Sequence, residues 1–553
     1  DQWGIGSFQF IRCYSKPLEH YSKWKLGCIR FYFYIELEKK WVPHVDCLVT
    51  AMKDLMYKKE HKQAILNYEV VYKHKFYGFT NYEKFPFLRI EFSNHDAMRS
   101  YQYLITNEEN PFEVYKLKKN EPLNLKLYES NIEPFLRCMH IQNLEAVGWV
   151  KIPAKSYTVM RFKASICSID IETEWTNLHA INDRTINPFI IASFDIECMS
   201  GDGTFPQANR DTDKIIQIGT TFSRIGESEC YYKHIITLGS CDPIPDVDVE
   251  SYETEQEVLL AWTRLMLRID PDIITGYNIF GFDMEYMYDR ANKLGIGIRF
   301  SQLSRIKNEP CNFEKKSLAS SALGDNLLKY FDITGRVLVD LMKVAQRDFK
   351  LESYKLEFVA ANFIQEKIIN LEHDTINNQT KIFTKDTYGV TVGQYITVNY
   401  NDGITNNKHM DGKKFKIVEL IKTMLIVDGI INDDVMGGGY KVFWCQAKDD
   451  VSPKDIFRLQ RGNSADRAII AKYCVQDCAL CNKLISKLQV MINNIGMANV
   501  CSVPLSYLFM RGQGVKICSL VTRACRLKDH LLITHKRKRA SLDELQEDEK
   551  KKH

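Results

Sequence analysis

The apolar positions of this chain fall into three successive rhythms. From residue 1 to about 165, short apolar and aromatic runs alternate with polar turns. Residues 28–35 and 87–92 read as strands, and 46–57 and 95–104 read as helices. A mixed α+β N-terminal domain over 1–165 is expected. From 189 to about 345, strand-like runs (189–196, 214–222, 231–238) alternate with helix-like runs (254–268, 283–294). That alternation predicts a central sheet flanked by helices. From about 374 to 442 the rhythm changes again. Residues 394–400 alternate and end in the turn Asn401-Asp402-Gly403, and 415–418 and 424–427 add strands, the last closed by Asp428-Gly429. Gly437-Gly438-Gly439 reads as a flexible joint. The stretch is a small β-rich insertion, with a little barrel as one form, inside an otherwise helical region. A strong helix is expected over 464–492, a linker beyond 495 around Pro504, and an amphipathic helix near 515–528. The end, from Lys536-Arg537-Lys538-Arg539 to Lys552, is a block of charge that reads as a solvated tail.

The fold class is therefore α/β and α+β, multidomain: 1–165, then 166–495 with the insertion at 374–442, then 496–553. Composition adds limits rather than direction. The 553 residues are 45% apolar and 26% charged, ordinary for a globular protein with several cores. A net charge of +4 does not by itself announce nucleic acid. The 16 cysteines lack paired spacing, which favours an intracellular, reducing compartment. Cys478 and Cys481 form one CxxC with no second pair to complete a zinc site. No run reaches the roughly 18 apolar residues of a membrane span. The chain opens on Asp1 without an initiator Met, as a fragment would.

Candidate chemistry begins at Phe194-Asp195-Ile196-Glu197, which ends an apolar run. Strand residues i and i+2 share a face, so Asp195 and Glu197 stand side by side. Like charges that close repel and raise each other's pKa, and a divalent cation between them relieves this. The blander reading is two surface acids on an edge strand. A second Asp-x-Glu, Asp170 and Glu172, has no better completion downstream. In Thr275-Gly276-Tyr277-Asn278-Ile279-Phe280-Gly281-Phe282-Asp283, a strand ends and Asp283 opens a helix, where an acid alone is commonly a cap. In Tyr473-Cys474-Val475-Gln476-Asp477, Tyr473 and Asp477 share one helix face. Such a pair in isolation is usually structural.

The ordered set is more specific than its parts. Four acids in this order, with a Tyr four residues before the last, resemble the proofreading exonuclease of family B DNA polymerases. Phe87-Leu88-Arg89-Ile90, Tyr128-Glu129-Ser130-Asn131, Gly148-Trp149, Asp270-Pro271-Asp272 and Gly335-Arg336-Val337 also look like the delta-type enzyme and its relatives in large DNA viruses. The insertion departs from the cellular delta pattern and leans the reading toward a virus. The resemblance implies a ribonuclease H-like exonuclease that hydrolyses the terminal phosphodiester of a 3′ end with two Mg²⁺ ions, for which Mn²⁺ could substitute. It implies one ion on Asp195, Glu197 and Asp477, with Asp195 bridging to a second that Asp283 supports through water. Tyr473 would orient the attacking water, and Asn278 and Phe282 would contact the DNA end. Partners implied are single-stranded or primer-template DNA and, through a longer enzyme, a sliding clamp or accessory replication factor, without a membrane. The setting implied is a host nucleus or a cytoplasmic viral replication site. The palm-domain runs Asp-x-x-Ser-Leu-Tyr-Pro and Tyr-x-Asp-Thr-Asp do not occur. A polymerase fragment carrying the exonuclease, without nucleotide addition, is thus expected. The alternatives are a catalytically silent DNA-binding scaffold and a free-standing exonuclease. Lys408, Lys413, Lys414 and Lys416, near one turn of the insertion, suggest contact with the template or a partner.

Overall fold

The computed structural model describes residues 31–106, 125–227, 229–320, 324–403, 405–448 and 451–534. The charged tail expected beyond Lys536 lies outside these residues.

The N-terminal sheet pairs Leu127–Tyr128, Phe31–Glu36, Phe85–Phe92 and Ile65–Lys75 in that order. Helix Val45–Leu55 carries Val45, Leu48, Val49 and Met52 at the spacing of one helical stripe, and that stripe faces the sheet residues Phe33, Leu88 and Ile90. A fifth strand arrives from far along the chain: His530–Leu531 runs parallel to Ile65–Lys75, with His74 opposite His530. The stretch beyond 495 is therefore folded rather than a linker. It forms helices Val490–Cys501, Leu505–Met510 and Gln513–Leu527 before that strand. Pro504 only punctuates it, as the cap before Leu505, while Val503, Leu505 and Leu508 enter a core shared with Val344 and Leu484.

The central sheet has six strands, β1 (Ile190–Cys198), β2 (Ile215–Arg224), β3 (Tyr232–Leu238), β4 (Asp248–Tyr252), β5 (Ile273–Gly276) and β6 (Val337–Asp340), in the order β4-β3-β2-β1-β5-β6. The strands β1, β2 and β3 are antiparallel neighbours, whereas β5 and β6 run parallel to β1. Helix α1 (Glu255–Ile269) begins in a capping box between Thr254 and Glu257. Its Leu259, Trp262 and Met266 bury against Phe194, Ile218 and Ile274. Each such side chain contributes roughly 1.5–3 kcal/mol by leaving water. The base of β5 is held by charge. Arg305 and Arg336 both donate to Asp270 Oδ1, at 2.8 and 2.7 Å, and Arg305 also donates to Asp272 Oδ1 at 2.6 Å. Asp272 Oδ2 in turn accepts from the Ile190 backbone N–H at 2.9 Å.

The insertion is a closed barrel. Strands β7 (Gln365–Asp374), β8 (Gln379–Thr384), β9 (Tyr395–Asn401), β10 (Phe415–Ile421), β11 (Met424–Asp428) and β12 (Lys441–Ala447) pair as β9-β10-β11-β8-β7-β12, and β12 returns to β9. Ile382, Ile396, Phe415, Leu425 and Trp444 fill it. Its strands begin at Gln365 and end at Ala447, wider than the 374–442 that turn residues delimit. The reason is that β7 leaves Lys367, Asn370 and Glu372 exposed and buries only Ile368, which hides its period.

Candidate active site

Three elements bring the sequence-predicted acids together. On β1, Asp195 lies opposite Gly219 and Glu197 opposite Gln217 of β2. Glu197 is buried, and Asp195 is half-buried. A β-carbon at Gly219 would meet Cys474 Sγ at 2.7 Å, so glycine lets the long helix α3 (Ser464–Lys487) lie directly over the sheet. That helix starts at a capping box between Asn463 and Asp466 and carries Tyr473 and Asp477 one turn apart. The Cys474 thiol approaches the Asp195 carbonyl at 3.6 Å, and ligand atoms of Asp195, Glu197 and Cys474 lie within 4.8 Å of one another.

The third element is the turn after β5. Gly276 sits where a β-carbon would meet the Phe194 carbonyl oxygen at 2.5 Å, and Asn278 adopts φ +63°. The turn delivers Asp283 to the first position of helix α2 (Asp283–Lys293). Its Oδ1 accepts from the Ile196 backbone N–H at 3.3 Å, between Asp195 and Glu197. The turn is fixed from below by Asp340, whose carboxylate accepts from the N–H groups of Asn278 and Phe280, both at 3.0 Å. Asn278 is half-buried. The Phe282 ring stands 5.4 Å from Phe205 and 5.2 Å from Tyr286, and Phe205 is 70% exposed. The two phenylalanines form an aromatic ledge beside the acids.

The electrostatics follow from this crowding. Burial raises Asp195 well above the usual carboxylate range, and the charges of Asp283, Glu197 and Asp477 raise it further. Burial and Asp477 push Glu197 up to about 8. Burial pushes Asp283 up to about 7. Among the described residues, a cation, Lys448, stands with them. Lys448, the residue after β12, forms an ion pair with Asp477, donates to the Tyr473 hydroxyl at 2.7 Å and sits 4.5 Å from the Tyr473 ring centroid. Burial disfavours its charge, but Asp477 and Tyr473 outweigh that and keep it protonated. Lys448, Asp340, Cys474 and Phe205 were all missed from sequence. Only Cys474, inside the Tyr473–Asp477 stretch, carried a local signal.

Residues 125–359 match the family model described as DNA polymerase family B, exonuclease domain. This part of the chain is a family B polymerase exonuclease domain. The match spans β1 to β6 and stops short of the barrel, so α3 lies beyond it. Relatives extend further along the chain. A DNA polymerase of Pyramimonas orientalis virus is 35% identical over 592 aligned residues, covering 83% of this chain and 46% of that protein. A DNA polymerase of Acanthamoeba polyphaga mimivirus is 34% identical, covering 92% of this chain and 36% of its own length. The DNA polymerase delta catalytic subunit of Dictyostelium discoideum is 30% identical over 74% of this chain and 30% of its own. The chain thus spans less than half the length of each of these relatives. No helix among the described residues is long and apolar enough to cross a membrane.

Proposed function

We propose that this chain, as part of a family B DNA polymerase, hydrolyses the 3′-terminal phosphodiester of DNA with divalent cations. The observation that carries the reading is the meeting of Asp195, Glu197, Asp283 and Asp477 from three separate elements at one buried locus, each raising Asp195's pKa or crowding its neighbours. The β4-β3-β2-β1-β5-β6 order, with β2 antiparallel to both its neighbours and every other pair parallel, supports assigning the domain as ribonuclease H-like.

The donor set fits hard cations. Carboxylate oxygens suit Mg²⁺ and Mn²⁺. The Cys474 thiol, which Cys478 lowers but burial pushes up to about 12, is a soft donor and suits such an ion poorly. Asp195, Glu197 and Asp477 would hold one Mg²⁺, and Asp195 with Asp283 a second. Two bound ions would stabilise the attacking and leaving oxygens of an in-line displacement. The chain's own groups do the rest. Tyr473, oriented by Lys448, would present its hydroxyl oxygen to the attacking water. Lys448 would place a positive charge where negative charge grows on the phosphate. Phe282, backed by Phe205, would stack the terminal base, and Asn278 would contact the strand end. A sliding clamp or accessory replication factor belongs to this reading as a partner of a longer polymerase.

The test is digestion of a 5′-labelled single-stranded oligonucleotide in Mg²⁺. Asp195→Ala and Asp283→Ala should each abolish shortening from the 3′ end without loss of folding. Undiminished digestion by the double variant would refute the assignment. An RNA strand of the same sequence shows whether the sugar is read.

A further inference from the structure

The barrel and the exonuclease site share one residue's backbone. Lys448 follows β12 immediately, so its main chain leaves the barrel while its ammonium reaches Asp477 and Tyr473 on α3. Its carbonyl oxygen accepts from Lys414 Nζ at 2.6 Å. Lys414 directly precedes β10, which flanks β9 on the side opposite β12. It is half-buried, whereas its neighbours Lys413 and Lys416 are exposed. Its backbone has little freedom: the adjacent Phe415 is 1% exposed in the barrel core and pairs with Ile396 of β9. The same strand β9 pairs with β12, Tyr395 opposite Ala447. The Lys414 ammonium is therefore presented by a rigid frame to the peptide from which Lys448 departs. A second tie keeps the frame against α3. Buried Lys483 of α3 donates to the Gly389 carbonyl of the barrel at 3.0 Å.

We propose that Lys414 of the inserted barrel is a positioning residue for the exonuclease reaction, acting through Lys448. It holds the Lys448 carbonyl, which fixes the height and direction from which the Lys448 side chain enters the cluster of acids. A flexible four-carbon stem gives Lys448 many alternative positions, and the anchored backbone removes most of them. Of the four insertion lysines that suggested nucleic-acid contact, Lys414 is turned inward to this task. The inference rests on the exonuclease reading for its kinetic consequence but not for its geometry, so both are measured.

The first measurement is single-turnover digestion of a labelled DNA strand by the full chain in Mg²⁺. Lys414→Met should slow the maximal rate about tenfold, in line with the cost of small misplacements, with half-saturating DNA unchanged. Lys414→Arg, which keeps a donor, should restore most of the rate, and Lys422→Met, exposed in the turn between β10 and β11, should leave it unchanged. Lys448→Met should be at least as slow as Lys414→Met, and combining the two should cost nothing more. The second measurement is acetylation of lysines by a limiting anhydride, read by peptide mass. Lys448 should react several-fold faster in Lys414→Met than in the parent chain. A Lys414→Met enzyme as fast as the parent, losses that multiply in the double variant, or unchanged Lys448 labelling would overturn the proposal. A parent chain that digests no DNA, with Lys448 labelling still responding to Lys414, would instead overturn the exonuclease reading and leave the positioning intact.

Discussion

Burial is what makes the acids at the candidate site responsive to metal and pH. Glu197 is raised from 4.5 to about 8 and Asp283 from 3.8 to about 7, chiefly by desolvation. Below about pH 3 both are protonated, folded or unfolded, and neither opposes folding. As pH rises toward 8 the unfolded chain ionises them freely, while the folded chain must pay desolvation and repulsion, so stability falls and the loss is complete above about pH 8. In a chelator, melting temperature should therefore drop between pH 5 and pH 8. Added Mg²⁺ should recover more of it at pH 8 than at pH 5. Equal Mg²⁺ effects at both pH values would count against carboxylate ligation. Asp195→Asn removes one of the repelling charges and should raise the metal-free melting temperature at pH 8, on the order of 2–4 °C, while hydrolysis disappears. Asp340→Ala should act in the other direction. It strands the N–H groups of Asn278, Phe280 and Met342 and should cost about 2–4 kcal/mol in chemical denaturation. The side-by-side placing of Asp195 and Glu197 was legible because a strand's period is local. Lys448 and Asp340 were not, because a lysine after a strand and an acid ending another look ordinary until their partners, 25 and 62 residues away, are seen across space.

At the scale of elements, the seating of α3 on β2 is the contact that closes the site. It depends on Gly219 having no side chain where Cys474 Sγ approaches. Gly219→Ala should lift the helix that carries Tyr473 and Asp477, cost roughly 1–3 kcal/mol as an overpacked core does, and slow hydrolysis. Trimming the opposing group with Cys474→Ala should return both stability and rate. If the double variant is no better than Gly219→Ala alone, the helix is not seated by this contact. The helices that flank the central sheet were readable at their starts: the 254–268 pattern becomes Glu255–Ile269, and the 283–294 pattern becomes Asp283–Lys293. The barrel's first strand was not, since β7 buries only Ile368 and shows water a mixed face. The amphipathic helix expected near 515–528 is Gln513–Leu527, but the two before it, Val490–Cys501 and Leu505–Met510, were obscured by Pro504 and Gly512, which mark corners between packed helices rather than a loose connection.

Across the whole molecule, the far end of the chain completes the N-terminal sheet. His74 and Phe76 donate backbone bonds to Asp529 and Leu531 at 3.0 and 3.1 Å, Thr534 donates to Leu127 at 2.9 Å, and Lys84 pairs with Asp529 at 2.8 Å. Deleting residues 528–534 should expose the outer edge of Ile65–Lys75. Faster hydrogen exchange is then expected in that strand, with digestion of DNA ends retained. Unchanged exchange would mean that the sheet stands without its fifth strand. No sequence pattern announced this closure, because two residues of strand are too short to show a period.

The barrel's two ends meet at one place. Gln365 pairs with Cys445, and the Gln446 N–H donates to the Ile364 carbonyl at 2.9 Å. A polypeptide that departs and returns through so narrow a doorway puts almost no tension on the body it hangs from. Cutting the barrel out at this doorway should leave the acids where they are while releasing Lys448 from the hold of Lys414. In the laboratory, the same doorway is a natural seat for a fluorescent reporter whose own termini lie side by side.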